Sequence, residues 1–465
     1  MKVGIYTLGC KVNTYESEFI ISLFKNRGYQ IEDFNKECDI YIINTCTVTN
    51  QSDRKDRKII NSVKNKDACL VVCGCFVESA KEYNYEGVDV VIGNYNKSQI
   101  VDLVEEHLKT KKQIIKKENI MQVPFENMEI TNSETRTRAF VKIQDGCENY
   151  CSYCIIPFVR GKCRSKDKDT VIREITNLVN NNYKEIVLTG IHTGNYGVDL
   201  GLSFSTLLEE ILTIPNLKRL RISSIEITEL DDKFLNLLQN NILCNHLHIP
   251  LQSGSNKILK LMNRKYTKEE FKKYIEKIRK IRPNISITTD VIVGFPNETE
   301  EDFEESLEFI KDINFSKVHV FPYSKRDGTK AARMNGHING TIKKERTKKL
   351  LELSNHLEEA YYQNNIDKKE KVLIEKIKEG IQEKKGKNII IADLTNIEDT
   401  ICKYFVICQG NSPSQVGAIV DSIKEFTRKG ADSKPFAVDG LRNAEWVAMD
   451  YADVLVHVFL PETRA

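Results

Sequence analysis

Ala139-Phe140-Val141-Lys142-Ile143-Gln144-Asp145-Gly146-Cys147-Glu148-Asn149-Tyr150-Cys151-Ser152-Tyr153-Cys154 is the stretch from which the fold can be read. Its opening, Ala139–Ile143, has the apolar character of a buried strand. Its end carries three cysteines at C-x3-C-x2-C spacing. Three thiolates so close can hold a cubic iron–sulfur cluster by three of its irons and leave the fourth open to a small molecule. Clusters that only carry electrons ordinarily use four cysteines. A three-cysteine loop past a strand therefore points to chemistry at an open iron. Zinc is the alternative, but zinc ribbons favour C-x2-C pairs in two copies.

Outward from this loop, strand and helix patterns alternate. Strands are expected at Ala139–Ile143, Glu185–Thr189, Arg219–Ser223, His246–Pro250, Ser286–Val293 and Lys317–Pro322. Helices are expected at Val171–Asn180, Phe204–Leu212, Asp231–Gln239, Lys268–Lys280 and Glu300–Lys311. Strand–helix units in series predict an open, partial (β/α)6 barrel over residues 136–340, whose site forms beyond the carboxyl ends of its strands. Polar groups fall at those ends: Gly190-Ile191-His192, Ser223-Ser224-Ile225-Glu226, Leu251-Gln252-Ser253-Gly254, Gly294-Phe295-Pro296 and Pro322-Tyr323-Ser324. A carboxylate at Glu226 suits ribose hydroxyls or a ligand ammonium, and Gly190 and Gly294 let a ligand approach the backbone.

Residues 1–108 read as a smaller Rossmann-like, doubly wound α/β domain, with parallel strands at Val3–Tyr6, Asp39–Ile43, Leu70–Val72 and Val88–Ile92. Cys10, Cys46 and Cys75 each lie just past one of three such strands. Neighbouring strand ends would gather them into a second three-thiolate cradle; a purely structural role is the alternative. Residues 109–135 read as a basic linker and 341–387 as a Lys/Glu-rich helical connector. Residues 388–465 form a further α/β unit, with strands at Asn388–Asp393, Tyr404–Cys408, Lys434–Asp439, Trp446–Asp450 and Val454–Phe459 and a helix at Ser414–Arg428.

The 465 residues suffice for about three domains. No apolar run reaches the length of a membrane span, the amino terminus has no signal-peptide pattern, and a cytoplasmic, membrane-free protein is expected. Thirteen cysteines in a reducing compartment favour metal or redox chemistry over disulfides. The net charge of +3 is unevenly spread: residues 388–465 hold 7 basic and 11 acidic residues, a balance of −4, so the remainder carries +7. That excess, with basic runs at Arg54–Lys58, Lys109–Lys117 and Lys343–Lys349, favours a polyanion as partner of the first part.

Several long motifs, in order over residues 1–365, resemble the methylthiotransferase family of radical S-adenosylmethionine enzymes. They are Tyr6-Thr7-Leu8-Gly9-Cys10-Lys11-Val12-Asn13, Asn44-Thr45-Cys46-Thr47-Val48-Thr49, Gly74-Cys75, Gly146–Gly161, His246–Ser253 and Asp290–Thr299. Lys11-Val12-Asn13, Thr189-Gly190-Ile191-His192 and Arg160-Gly161-Lys162-Cys163-Arg164-Ser165 are most similar to the branch acting on N6-threonylcarbamoyladenosine beside the tRNA anticodon. Sister branches act on isopentenyladenosine or on a ribosomal protein.

The resemblance implies two 4Fe-4S clusters. One, on Cys147, Cys151 and Cys154, binds and cleaves S-adenosylmethionine to a radical. The other, on Cys10, Cys46 and Cys75, delivers a methylated sulfur to C2 of the adenine. The need is physical: an aromatic C–H offers no acidic proton to an ordinary base. Tyr153, Gly190, Glu226, Gln252 and Arg264 are the candidates around S-adenosylmethionine. Arg160 or Arg164 is the candidate for the substrate's threonyl carboxylate, which wants a guanidinium. The implied partners are tRNA and an electron donor such as flavodoxin or ferredoxin.

Near residue 370 the resemblance changes, and the small RNA-binding β-barrel with which the family ordinarily ends is not recognisable. Ile389–Asp393, Lys403–Gln409 and Asp439–Phe459 resemble the ribosome silencing factor family instead. That implies a nucleotidyltransferase-like α/β fold binding the large ribosomal subunit. The chain thus reads as a fusion, either a tRNA-modifying enzyme with an appended module or, alternatively, mainly a subunit antiassociation factor.

Overall fold

The computed structural model describes residues 1–80, 83–130, 138–394 and 402–464, the side chains of 364–369 excepted. Two compact units divide the chain, residues 1–357 and 358–465. No helix among the described residues is long and apolar enough to cross a membrane.

The first unit begins with a parallel sheet ordered Gln30–Glu32, Lys2–Thr7, Ile40–Thr45, Cys69–Gly74, Val90–Ile92 and Ile114–Lys116. Ile40–Thr45 and Cys69–Gly74 are buried along their whole length, as expected of central strands covered on both faces. One face packs Ile40, Ile42 and Val71 against Ile20, Phe24 and Val104 of flanking helices. The other packs Tyr41, Ile43 and Val72 against Ile60 and Val63. The expected linker, residues 109–135, supplies the last edge strand, Ile114–Lys116, and its residues 131–135 lie outside the described ones, as do 136 and 137 of the expected barrel.

The expected barrel strands form as Arg138–Lys142, Glu185–Thr189, Arg219–Ile222, His246–His248, Ser286–Val293 and Lys317–Pro322. Every pairing among them is parallel. A parallel bridge from Leu220 to Leu243 joins the two three-stranded halves. Alternation is clear in Ser286–Val293, where every second residue is buried. Those residues pack outward on helices such as Lys268–Ile281 and Glu300–Ile313, whose starts are fixed by capping boxes, Thr267 with Glu270 and Thr299 with Asp302. The helix Lys11–Asn26 closes part of the barrel's inner face: its Tyr15 and Phe19 pack with Phe140 and Val187.

A helix assigned over Gly340–Glu383 leads into the second unit. There the sheet order is Lys387–Asp393, Tyr404–Gln409, Val454–Phe459, Trp446–Asp450 and Ala437–Asp439. Only the Tyr404–Gln409 and Val454–Phe459 pair is parallel. One face is buried by Ile419 and Ile423 of the helix Pro413–Gly430 together with Ile377 and Ile381. The other face carries Phe405, His457, Trp446 and Phe459, with the last two rings stacked 5.6 Å apart.

Candidate active site

Sheet register builds the first cysteine cradle. Thr7 pairs with Asn44, and Thr45 pairs with Gly74. The residues that follow, Cys46 and Cys75, therefore leave the sheet side by side, with Cys10 on the adjoining loop. Gly9 has φ +103°, and a Cβ there would lie 2.8 Å from the Cys46 Cβ; glycine lets the two loops close on each other. Asn13 clamps them, donating from Nδ2 to the carbonyls of Leu8 (2.7 Å) and Thr45 (2.8 Å). Burial, then neighbouring Cys75 and Cys10, push the Cys46 thiol up to about 12. Cys10 is itself exposed to solvent, but desolvation by the protein packed around it raises its thiol against the pull of Arg160. The Cys75 sulfur accepts from Arg160 Nε at 3.3 Å and Asn94 Nδ2 at 3.4 Å.

The second cradle is a loop held from outside. Gly146, at φ +76°, leaves no room for a Cβ beneath the Lys162 carbonyl. Cys147 N donates to Gly161 O at 3.1 Å, and Ser152 N to Met262 O at 3.0 Å. Asn263 Nδ2 holds the carbonyls of Asn149 (3.2 Å) and Tyr150 (3.1 Å), the latter residue at φ +46°. Burial and the adjacent Cys151 push the Cys154 thiol up to about 12. Arg264 Nη1 reaches the Cys151 sulfur at 3.4 Å while both its terminal nitrogens grip Glu226 at 2.9 and 2.8 Å. His192 sits between Asn149 and Glu229. Burial works against its charge, but Cys147 and Glu229 raise the imidazole to about 10.

The other expected residues lie around this loop. Tyr153 packs on Ile258, Met262, Phe295 and Tyr323. Gln252, at φ +70°, bridges Val291. A Cβ at Gly190 would press on Gln144 at 3.1 Å. Glu226 and Arg264 were expected to meet the cofactor separately; each instead spends its charge on the other.

Arg160 and Arg164 need correction, because neither offers a free guanidinium to a substrate. Arg160 is fully buried. It donates to Glu16 Oε1 (2.8 Å), Asn13 Oδ1 (2.7 Å) and Asp145 Oδ1 (3.2 Å) as well as to Cys75. Arg164 donates to the carbonyls of Ile120 and Arg160, both at 2.9 Å. Glu16 lies at the centre of a buried charge cluster, also taking Lys97 at 2.8 Å and Lys142 at 2.7 Å. Despite its burial, Arg160, Lys142 and Lys97 hold its carboxyl well below the usual range. Asp145, two residues before Cys147, is likewise held low against burial by Lys142, Arg160 and Arg164. Arg160 therefore links the Cys75 sulfur to the turn that carries Cys147. Asn13, Asn94, Glu16 and Asp145 escaped sequence reasoning; of these only Asn13 lies in a cysteine motif.

The donor sets fit clusters better than single ions. Among the described residues, the groups whose donor atoms lie within 4.8 Å of one another are Cys69–Asp89–His107 and His248–Asp290–His319. Neither cysteine triad is drawn that tight, whereas one tetrahedral zinc at a zinc–sulfur distance of about 2.3 Å needs its sulfurs about 3.8 Å apart. The raised thiols also need a strong local cation to become thiolates, as iron provides.

Known proteins resemble this chain. The Radical SAM superfamily model matches residues 141–310, and that described as "Uncharacterized protein family UPF0004" matches residues 2–93. The model for the Ribosomal silencing factor during starvation matches residues 367–465. A threonylcarbamoyladenosine tRNA methylthiotransferase, MtaB, of Bacillus subtilis is 45% identical over 78% of this chain and 83% of its own length. The corresponding protein of Aquifex aeolicus is 39% identical over 80% of this chain and 93% of its own. A tRNA-2-methylthio-N(6)-dimethylallyladenosine synthase of Alkaliphilus oremlandii is 35% identical over 80% of this chain and 82% of its own. The fold alone is shared with the radical S-adenosylmethionine methyltransferase TsrM of Kitasatospora setae, at TM-score 0.52 and 15% identity over 69% of this chain and 72% of that one. These sequence relationships show that the chain belongs to the radical S-adenosylmethionine tRNA methylthiotransferase family, with a ribosomal silencing factor domain from residue 367.

Proposed function

We propose that this chain transfers a methylthio group to C2 of N6-threonylcarbamoyladenosine in tRNA. The observation that carries the reading is the joining of two three-cysteine cradles by one buried arginine, in a chain 45% identical to a relative of that named activity. Cys147, Cys151 and Cys154 would hold one cluster, and Cys10, Cys46 and Cys75 the other. When bound, these clusters and S-adenosylmethionine supply radical activation of an unreactive C–H bond and the sulfur that replaces its hydrogen. The protein supplies placement. Asn263 and Ser152 fix the loop, and Arg264 offsets negative charge on Cys151 while Glu226 balances it. Arg326, from the loop after the last barrel strand, donates to Asp53 (2.7 Å), Asn50 (2.8 Å) and Thr47 (2.6 Å), docking the barrel beside Cys46. The basic excess of residues 1–387 supports tRNA as the polyanion. A flavodoxin or ferredoxin would donate the electron, in the cytoplasm.

The test is nucleoside mass spectrometry of tRNA from cells making the chain. A methylthio-threonylcarbamoyl nucleoside should appear, and should vanish with Cys147→Ala. An unchanged nucleoside pool would overturn the reading.

The second unit favours a second, additional role. Its uncovered sheet face, with Trp446 half exposed beside Phe459 and His457, is a protein-docking surface in kind. With the silencing-factor match, it supports binding to the large ribosomal subunit. Co-sedimentation with that subunit, lost in Trp446→Ala, tests it.

A further inference from the structure

The commitment of Arg160 and Arg164 leaves the substrate's carboxylate without a partner, and the inner face of the barrel offers one. Lys11 follows Cys10 directly, at the first position of its helix. Its side chain is exposed and makes no ion pair among the described residues. The groups that act electrostatically on its ammonium include Arg138, Arg221, the Cys10 thiol and Asp290. Arg138, Arg219 and Arg221 share the single carboxylate of Glu185, at 3.8, 3.2 and 2.8 Å. Asp290 also lies 3.3 Å from His248 Nε2. Among the described residues this region therefore sets four cations, Lys11, Arg138, Arg219 and Arg221, against two carboxylates, Glu185 and Asp290, and keeps an excess of positive charge.

The opposite wall is polar and continuous. His248, Asp290 and His319 stand on three adjacent parallel strands with donor atoms within 4.8 Å of one another. His246, next along, faces Arg221, His248, Lys11 and His319 and keeps a buried Nδ1 without a hydrogen-bond partner. A histidine–aspartate–histidine group could in isolation hold a divalent ion. Lys11 and Arg221 beside it oppose a cation and favour an anion.

Position selects which anion. In the adenine ring, C2 and the carbon bearing N6 are both bonded to N1, so a substituent on N6 stays close to the carbon that receives sulfur. A cation adjoining Cys10 is where its carboxylate would fall. Resting on the substrate reading above, we infer that Lys11 forms the carboxylate-binding subsite for the adenine's N6 substituent, with Arg221, whose Nε is held by Glu185, adding positive charge and the His248–Asp290–His319 wall enclosing it.

The test uses the reconstituted full chain and three anticodon stem–loops: one with N6-threonylcarbamoyladenosine, one with its methyl ester, one with unmodified adenosine. The natural protein should bind the acid about ten- to a hundredfold more tightly than the ester. Lys11→Ala should bring the acid down to the ester's level and leave ester, unmodified loop and S-adenosylmethionine affinities as they were. Lys11→Arg should keep the preference. Circular dichroism and iron content guard against misfolding, which a partnerless first-turn residue is poorly placed to cause. An equal loss on all three loops would assign Lys11 to backbone phosphates. A loss confined to S-adenosylmethionine would assign it to that molecule's carboxylate. Either result, or no change, overturns the inference. A natural protein that never methylthiolates the acid-bearing tRNA overturns the substrate reading itself, which the variants do not touch.

Discussion

The two cysteine cradles solve one problem by opposite means. Cys147, Cys151 and Cys154 occupy a single loop, where spacing brings the sulfurs near and outside clamps such as Asn263 and Arg264 set their aim. Cys10, Cys46 and Cys75 are far apart in sequence and meet only because the register of three parallel strands ends them together. The first cradle is local and intermediate in burial; in the second, Cys46 and Cys75 are buried. A loop cradle can form once its clamps dock, whereas a strand-end cradle exists only in a folded sheet.

The sharpest way to break the comparison is to delete each cradle separately. The reconstituted chain should hold about eight irons, four per cubane. Cys10→Ala/Cys46→Ala/Cys75→Ala should halve the iron and abolish methylthio product while S-adenosylmethionine cleavage persists. Cys147→Ala/Cys151→Ala/Cys154→Ala should halve the iron and abolish both. A full-length count of about four would remove the strand-end cluster.

Next in size is the charge behind each cradle. Glu16 serves Arg160, Lys97 and Lys142, all fully or nearly fully buried. Glu16→Gln leaves buried cations short of a carboxylate and should cost about 3–5 kcal/mol. Glu226 faces one arginine, so Glu226→Gln should cost about 1–3 kcal/mol. Urea unfolding of the iron-free chain, followed by circular dichroism, should show the larger shift for Glu16. Equal shifts would mean the cluster is no more than a set of independent pairs.

These two carboxylates also show what a sequence can reveal. The loop cradle was legible from spacing, and the strand-end cradle from strand placement, because both follow local patterns of period and position. The partial barrel was legible for the same reason. Arg160 was misjudged because its partners Glu16 and Cys75 lie 144 and 85 residues away. A buried charge cluster leaves no local signature; its members look like surface lysines, arginines and glutamates until the chain closes around them. The mutual pairing of Glu226 and Arg264, 38 residues apart, was not visible either. The edge strand Ile114–Lys116 hid in a run of lysines, whose charge outweighed two isoleucines.

A smaller perturbation separates loop closure from ligand loss. Gly9→Ala places a methyl group against Cys46 at a backbone angle that alanine rarely adopts, at a cost of about 1–3 kcal/mol. Iron should fall from about eight toward about four, with the loop cluster's S-adenosylmethionine cleavage retained. If both clusters survive, the cradle is more forgiving than its packing indicates.

The finest comparison lies in two arginines, each touching a sulfur of one cradle: Arg160 on Cys75 at 3.3 Å and Arg264 on Cys151 at 3.4 Å. An N–H donated to a cluster sulfur favours the more negative, reduced state, so its loss should lower the reduction potential. Lysine keeps the charge but not the fork that lets Arg160 hold Cys75, Glu16, Asp145 and Asn13 together. A hydrogen bond of about 1 kcal/mol corresponds to about 40 mV for one electron. Arg160→Lys should shift the strand-end cluster by about that amount, read by spectroscopic titration in a Cys147→Ala/Cys151→Ala/Cys154→Ala background, and leave the loop cluster unmoved in a Cys10→Ala/Cys46→Ala/Cys75→Ala background. Arg264→Lys should shift only the loop cluster, read in the complementary background. If Arg160→Lys moves the loop cluster as well, the route through Asp145 carries charge between the cradles, and they are one electrostatic unit.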